Sequence, residues 1–326
     1  MQFSKEWILS EYADNATINE EKLVSAMTAL GHTVENHADY WDIQSPAHRP
    51  DCRSVAGIAR EICAAMGIPF YYEAPTVLGC EDTSIFEMLD VDVWDDELCN
   101  RLTCRVAYNI RNSASPHWLQ QRLLHCGITP VDCITDAAQY VRLELGQPLL
   151  ILDQRCCNGS LTLRQSFPGE SEEESVVLAG DFQPIVVGNT ICDEEALLRE
   201  DTDCIIICAI HNCENTNDSL LTHTAVERMC QLIETLHCGI VADGTIDILN
   251  FIPHERRISC SVEEINEKCY TNFTDTAITA LLQPTGISME GNEFVIPAHR
   301  SDLISNADLL DEIIRLHNIQ KLNICS

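Results

Sequence analysis

Between residues 88 and about 250, short apolar runs alternate with longer amphipathic stretches, and this pattern most constrains the fold. Residues 102–108, Leu-Thr-Cys-Arg-Val-Ala-Tyr, read as a strand, and 116–126 as a helix. Further strands are predicted at 161–166 and 183–188. Residues 204–210 form a short unbroken apolar run, the signature of a strand buried on both faces. The stretch 219–237 repeats Leu220, Leu221, Ala225, Met229, Leu232, Ile233 and Leu236 at helical spacing. Strands and helices mixed in this way predict an α+β fold.

The flanks differ from this centre. Residues 8–31 read as a strand-like or turn segment running into a helix. Thr17 is its cap and Glu20 the partner at capping-box spacing. Leu23, Met27 and Leu30 form its apolar stripe, and Gly31 stops it. Residues 32–43 look extended. A second helix is expected over 52–66, capped by Asp51 after Pro50 and ended by Gly67. Residues 73–87, with Pro75, Thr76 and Gly79, read as a linker. From about 255 a third unit shows strand–helix–helix–strand–helix character. Thr274 or Asp275 starts one helix, 294–296 is a strand, and 307–316 the last helix. A chain of 326 residues accommodates two or three domains, and the expected division is 1–74, 75–252 and 253–326. No internal repeat is visible, and the acidic run 169–175 reads as a solvated loop without function.

Lys plus Arg number 20 and Asp plus Glu 51, a net charge of −31. Broad nucleic-acid or anionic-membrane binding needs cations that this chain is short of. The 45% of hydrophobic residues excludes global disorder. No secretory signal or membrane-spanning run is seen, so a cytoplasmic chain with reduced thiols is expected. Its 18 cysteines then act chiefly as small core hydrophobes, and no C-x2-C zinc spacing occurs. Cys204, Cys208, His211 and Cys213 tempt a metal reading. On a strand, however, Cys204 and Cys208 lie about 13 Å apart. Cys208 and His211 fall on opposite faces, against a nucleophile–base pair. The arginines 53, 60, 256, 257 and 300 are too scattered for a nucleic-acid patch and read as solvated charges or local ion pairs.

Four segments, in order, resemble the β subunit of bacterial phenylalanyl-tRNA synthetase. Phe3-Ser4-x-x-Trp7-Ile8 with Gly31-His32-Thr33-Val34-Glu35 is similar to its "FSYxWL…GxEVE" start. The stretch from His48-Arg49-Pro50-Asp51 to Gly57-Ile58-Ala59-Arg60-Glu61 resembles "NRPDCLSVxGIARE". Pro116-x-Trp118-Leu119, Cys126-Gly127-Ile128 and Leu143-Glu144-Leu145-Gly146-Gln147-Pro148 resemble "SPxWLQxRLxxxGI" and "LELGQP". Pro297-Ala298-His299-Arg300-Ser301-Asp302-Leu303 with 308–315 resembles "PxxRxDIxxxxDLxEExxR". The resemblance implies an N-terminal domain, an editing-like central domain, and a small B-five, helix-turn-helix-like domain. The family's OB-fold tRNA-binding insertion is absent, since Trp41-Asp42-Ile43 joins Gln44-Ser45-Pro46 directly.

The resemblance also implies site residues, and here the sequence departs from the family. Its editing motif "DVTNYV" reads Asp136-Ala137-Ala138-Gln139-Tyr140-Val141. The Thr and Asn positions are therefore Ala138 and Gln139. The editing His position is Leu150, and the editing Glu aligns with Cys208. "AGIMGG" shrinks to Val187-Gly188-Asn189. Leucine cannot position a water and alanine cannot hydrogen-bond a hydroxyl, so no catalytic residue is expected. Asp302, Asp308, Asp311 and Glu312 match the family's magnesium positions; carboxylates suit that ion. In the family a partner subunit completes the site. The alternative is acids complementing a helix dipole.

What this implies is a non-catalytic interaction or scaffold module that binds an α-subunit-like or other synthetase partner, with weak or indirect tRNA contact and no aminoacylation by this chain alone. Two alternatives stand: a part of a split phenylalanine–tRNA ligase that supports aminoacylation, and a free-standing aminoacyl-tRNA or ester hydrolase with a rebuilt pocket.

Overall fold

The computed structural model describes residues 1–13, 19–170, 176–180, 183–188, 190–211, 218–251 and 255–320. Strand β1 (Gln2–Ser4) runs directly into helix α1 (Lys5–Glu11), followed by α2 (Glu20–Ala29), β2 (Thr33–Asn36), β3 (Tyr40–Gln44) and α3 (Val55–Met66). Strand β3 lies between β1 and β2, antiparallel to both. Residues 8–11 are helical, not strand-like or turn as expected. The Ser4 hydroxyl accepts from the Trp7 amide at 3.3 Å and starts α1, whose Trp7 and Ile8 are buried. Thr17 lies outside the described residues; Asn19 caps α2, accepting from the Lys22 amide at 3.0 Å.

The cap expected at Asp51 is also corrected. Pro50–Arg53 form a single 3-10 turn, and α3 begins at Val55 with Ser54 as its cap, accepting from the Gly57 amide at 3.1 Å. Asp51 instead receives the Arg49 guanidinium through two hydrogen bonds. Gly57 permits this close approach, because a Cβ there would stand 1.8 Å from the Asp51 carbonyl oxygen. Gly67, at φ +68°, ends α3 as expected.

The central region contains β4 (Cys80–Ser84), α4 (Ile85–Met88), β5 (Asp90–Val93), β6 (Arg101–Tyr108), α5 (His117–His125), α6 (Cys133–Leu145) and β7 (Leu150–Asp153). It continues with β8 (Ser160–Gln165), β9 (Val176–Gly180), β10 (Gln183–Val187), β11 (Thr190–Ile191), β12 (Cys204–His211), α7 (Leu220–Thr235), β13 (Ile240–Asp243) and β14 (Ile246–Leu249). The expected linker at 73–87 therefore holds structure. Strand β4 pairs in parallel with β13, and Ile85 buries itself in the core behind it.

One sheet has the order β4-β13-β6-β12-β7, with β14 also on β6; another runs β11-β10-β9-β8-β5. Strands β6 and β12 carry the core on both faces. Ile205, Ile207 and Ala209 pack with α5, α6, α7 and the opening segment, in one apolar cluster that also holds Trp7, Ile58 and Tyr140. Ile206 and Cys208 point the other way, toward Leu161, Leu163, Leu178 and Val186 of the second sheet. The result is three layers, helices on sheet on sheet.

The last region comprises β15 (Arg256–Ser259), α8 (Val262–Cys269), α9 (Asp275–Leu282), β16 (Ser288–Glu290), β17 (Glu293–Ile296) and α10 (Asn306–Gln320). Strand β17 lies between β15 and β16. Thr274 caps α9. Phe294, Ile278, Leu309 and Ile313 form its core, which Ala64 of α3 joins. The protein is a mixed α+β structure with several sheets. Among the described residues, no helix is long and apolar enough to cross a membrane.

Candidate functional site

The positions read as a former editing site divide between two places. Ala138 and Gln139 are half-buried on α6, where Ala138 packs against the helical face of the core. Tyr140 beside them stacks on Trp7 with ring centroids 4.1 Å apart. Leu150 and Cys208 belong to the other face of the sheet, the one covered by the second sheet. They are direct partners across β7 and β12, and Cys208 is in turn opposite Cys104 of β6. The two sulfurs stand 3.3 Å apart, and Cys208 is fully buried. The Cys104 contact and burial push the Cys208 thiol well above its ordinary pKa. Leu150, Cys208, Cys104 and Ile246 make a row across four strands. Such a row offers no base, no anionic nucleophile and no group to polarise water.

His211, on the face opposite Cys208, is buried, and its Nδ1 stands 3.3 Å from Asn100 Nδ2. The nucleophile–base pair disfavoured by strand alternation does not form. Cys213 and Asn189 lie outside the described residues. Of the acidic run, Glu170 is described, and its carboxylate takes both ends of the buried Arg164 guanidinium at 2.7 and 2.8 Å. That contact holds its pKa at about 2.

The most developed electrostatic feature is a buried ladder of alternating charge. Arg49 binds Asp51 at 2.9 and 2.8 Å and Glu61 at 2.5 Å. Arg315 reaches Glu61 at 2.8 Å and, through two further bonds of 2.8 Å, Glu312. Arg300 binds Glu312 at 2.7 Å and Asp302 at 2.9 and 2.8 Å. The seven groups alternate in sign from Asp51 to Asp302. Arg300, read from sequence as a solvated charge or local pair, is 1% exposed and belongs to this ladder.

The ladder exposes an internal repeat that the sequence reading missed. His48-Arg49-x-Asp51, with Glu61 twelve residues beyond its arginine, recurs as His299-Arg300-x-Asp302 with Glu312. Both copies make the same bonds, arginine to aspartate and arginine to glutamate, and Arg315 joins them. Two copies of one short pattern, 251 residues apart, are easily passed over when no segment between them repeats. A comparison of the chain with itself around buried arginines would have found them.

Asp302, Asp308, Asp311 and Glu312 line one small cleft of about 210 Å³ together with Arg49, Arg300 and Arg315. Asp302 and Glu312 are engaged by arginines. Burial alone would raise the Glu312 pKa, but Arg315 and Arg300 outweigh it and hold the carboxyl at about 2. Asp308 accepts from the Ile304 and Ser305 amides at 3.1 and 2.7 Å and from the Ser305 hydroxyl at 2.8 Å, as a helix-start carboxylate does. Asp311 faces solvent. As arranged, the set does not fit a divalent cation. Among the described residues, no group of three or more His, Cys, Asp or Glu is placed to hold a metal ion.

Three layers around a doubly buried strand, followed by a small α+β unit, define the class. The B3/4 domain family matches residues 98–238. Along most of its length the chain is similar to phenylalanine–tRNA ligase β subunits, which bears out the resemblance read from its motifs. It is 28% identical over 338 residues to the one from Clostridium tetani, covering 90% of this chain and 42% of that protein. To the one from Moorella thermoacetica it is 26% identical over 313 residues, covering 85% and 39%. The chain thus spans about two-fifths of the length of these curated relatives. Its fold is similar to the crystal structure of an N-terminal fragment of the phenylalanyl-tRNA synthetase β subunit from Pyrococcus horikoshii. The TM-score is 0.52 at 14% identity, covering 98% of this chain and 99% of that one.

Proposed function

We propose that this chain is a phenylalanyl-tRNA synthetase-related interaction module without editing chemistry. It docks on an α-subunit-like or other synthetase partner through residues 1–74 and 253–326, the N-terminal and B-five-like units, while 75–252 is a degenerate editing-like unit. The observation that carries this reading is the Leu150–Cys208–Cys104 row. Where hydrolysis would need a histidine and a carboxylate, an aliphatic side chain and two contacting thiols are packed. The ladder supports it too, because it ties the first unit to the last and offers them as one body to a partner.

The test is purification from the native host, followed by assays on whatever assembly is recovered. The expected result is a stable complex, phenylalanine charging unaffected by removing this chain, and no release of tyrosine from Tyr-tRNA(Phe) above buffer. Charging that depends on this chain would favour a split ligase, and tyrosine release would favour a hydrolase; either overturns the proposal.

A further inference from the structure

A cavity that borders the charge ladder at Asp51 stands apart from the former editing positions. It measures about 440 Å³ and lies between the Pro50–Arg53 turn, α3, the end of α6 at Leu145 and Gly146, the start of α7, and His299. None of Ala138, Gln139, Leu150 or Cys208 lines it.

Its charges are unusual for this protein. Arg53 and Arg60 both line it, in a chain with 51 acidic residues, yet among the described residues neither guanidinium makes a direct ion pair or a hydrogen bond to protein. The Arg60 guanidinium instead rests on the Phe70 ring, 4.9 Å from its centroid. Burial is the dominant influence on it and pulls its pKa down. Of the two carboxylates in the wall, Asp51 is held by Arg49, and Asp218 accepts from the Leu220 amide at 2.9 Å. A half-buried guanidinium that Asp51 and Asp218 influence only through space, without a direct ion pair, carries a desolvation cost that an oxyanion would offset further.

The rest of the wall is suited to the body of such a ligand. Ala56, Leu145 and Leu221 supply apolar surface. The Tyr72 hydroxyl is buried without a hydrogen-bond partner. His299 Nε2 must donate to the Thr285 carbonyl, 3.2 Å away, because a carbonyl only accepts. In the neutral ring, Nδ1 is then an acceptor. Cation, acceptor, hydroxyl and apolar wall converge on one space of ligand size.

We propose that this cavity binds a small organic oxyanion, a carboxylate or phosphate on an apolar or aromatic body. The oxyanion sits on Arg60 with Arg53 at the mouth, and the body lies against Leu145 and Leu221. This goes beyond the interaction reading above and stands without it.

The experiment is isothermal titration of the full chain with four probes: 4-hydroxyphenylacetate, phenyl phosphate, inorganic phosphate and tyramine. Saturable binding of one or both aromatic anions is expected, and which of them binds distinguishes carboxylate from phosphate. Arg60→Gln should weaken that binding by about tenfold or more. Leu221→Trp, which fills the apolar half and leaves Arg60 in place, should abolish it while the thermal midpoint holds. Binding of neither aromatic anion to the wild-type chain, or binding undiminished in both variants, overturns the proposal. So does inorganic phosphate or tyramine binding as tightly as the aromatic anions.

Discussion

Arg315 donates from Nη1 to Glu61 Oε2 at 2.8 Å across 254 residues of chain, and it is the central cation of the ladder. Glu61 and Glu312 are both buried, and each would lose a partner if the guanidinium were removed. Arg315→Met should therefore cost about 3–5 kcal/mol of unfolding free energy. Arg257, more than a third exposed and bridging Glu255, Glu290 and Glu293 at the surface, is the comparison. Arg257→Ala should leave the urea midpoint close to that of the wild type, because exposed pairs are screened by solvent. Urea unfolding followed by circular dichroism measures both. Equal effects would show that the ladder contributes nothing special.

Stability should fall on acidification in two overlapping steps. Burial lowers the His299 pKa from 6.5 to about 3; Arg60 and Arg300 add to the shift, while Asp51 and the Thr285 carbonyl oppose it. The folded protein keeps this ring neutral while the unfolded chain takes up a proton. Stability therefore rises with pH between about 3 and 6.5. Glu312 is lowered from 4.5 to about 2, so its contribution is complete above 4.5 and is lost as pH falls toward 2. Above pH 4.5 the histidine acts without the glutamate. His299→Gln should flatten the pH dependence of the urea midpoint there and leave the steeper fall below it. An unchanged slope between pH 5 and 6.5, on the ~1.36 kcal/mol-per-unit scale, would contradict this.

A carboxylate placed at Cys208, the position that aligns with the family's editing glutamate, should disrupt the packed row rather than create activity. Cys208→Glu would bury a carboxylate against Cys104, with Leu150 on the neighbouring strand and no cation in the row. A loss of at least about 3 kcal/mol is expected, against about 1–2 for Cys208→Ala. A Glu variant as stable as the Ala variant, by thermal melting, would mean the row is open to water.

The start of α3 offers a local check. Ser54→Ala removes the cap and should cost about 1 kcal/mol. Gly57→Ala forces a Cβ against the Asp51 carbonyl and should cost about 2 kcal/mol or more. If Asp51 were the true cap, Ser54→Ala would be silent.

These particulars show where the sequence was readable. Strand β12 was legible because every residue from Cys204 to Ile210 is apolar, so burial on both faces follows from composition alone. Its alternation also placed Cys208 and His211 on opposite faces without any structure. The strand at Cys80–Ser84 was not legible: Cys-Glu-Asp-Thr-Ser has neither strand alternation nor β-branched enrichment, and only pairing with β13 makes it a strand. Charges were hardest. Arg49, Arg53, Arg60 and Arg300 look alike as letters, yet two are buried in the ladder and two line a cavity without a direct ion pair among the described residues. The partners of Arg49 and Arg300 lie only 2 and 12 residues away, but that they are buried depends on packing that no local pattern encodes, and the Arg315–Glu61 bond that joins them spans 254 residues. The similarity to phenylalanine–tRNA ligase β subunits was legible through motifs.

The twin arginine motifs set a condition on biosynthesis. When the first copy leaves the ribosome, Arg49 and Glu61 can pair with each other and with Asp51, but Arg315 is still 254 residues away. At ordinary elongation rates that delay is roughly 13–50 s. Throughout it, Glu61 must stay hydrated or the opening segment must remain loosely docked. The nascent chain therefore has a window in which its first unit is complete in sequence but short of its last counter-charge, and chaperones or a partner already in place have that window in which to act.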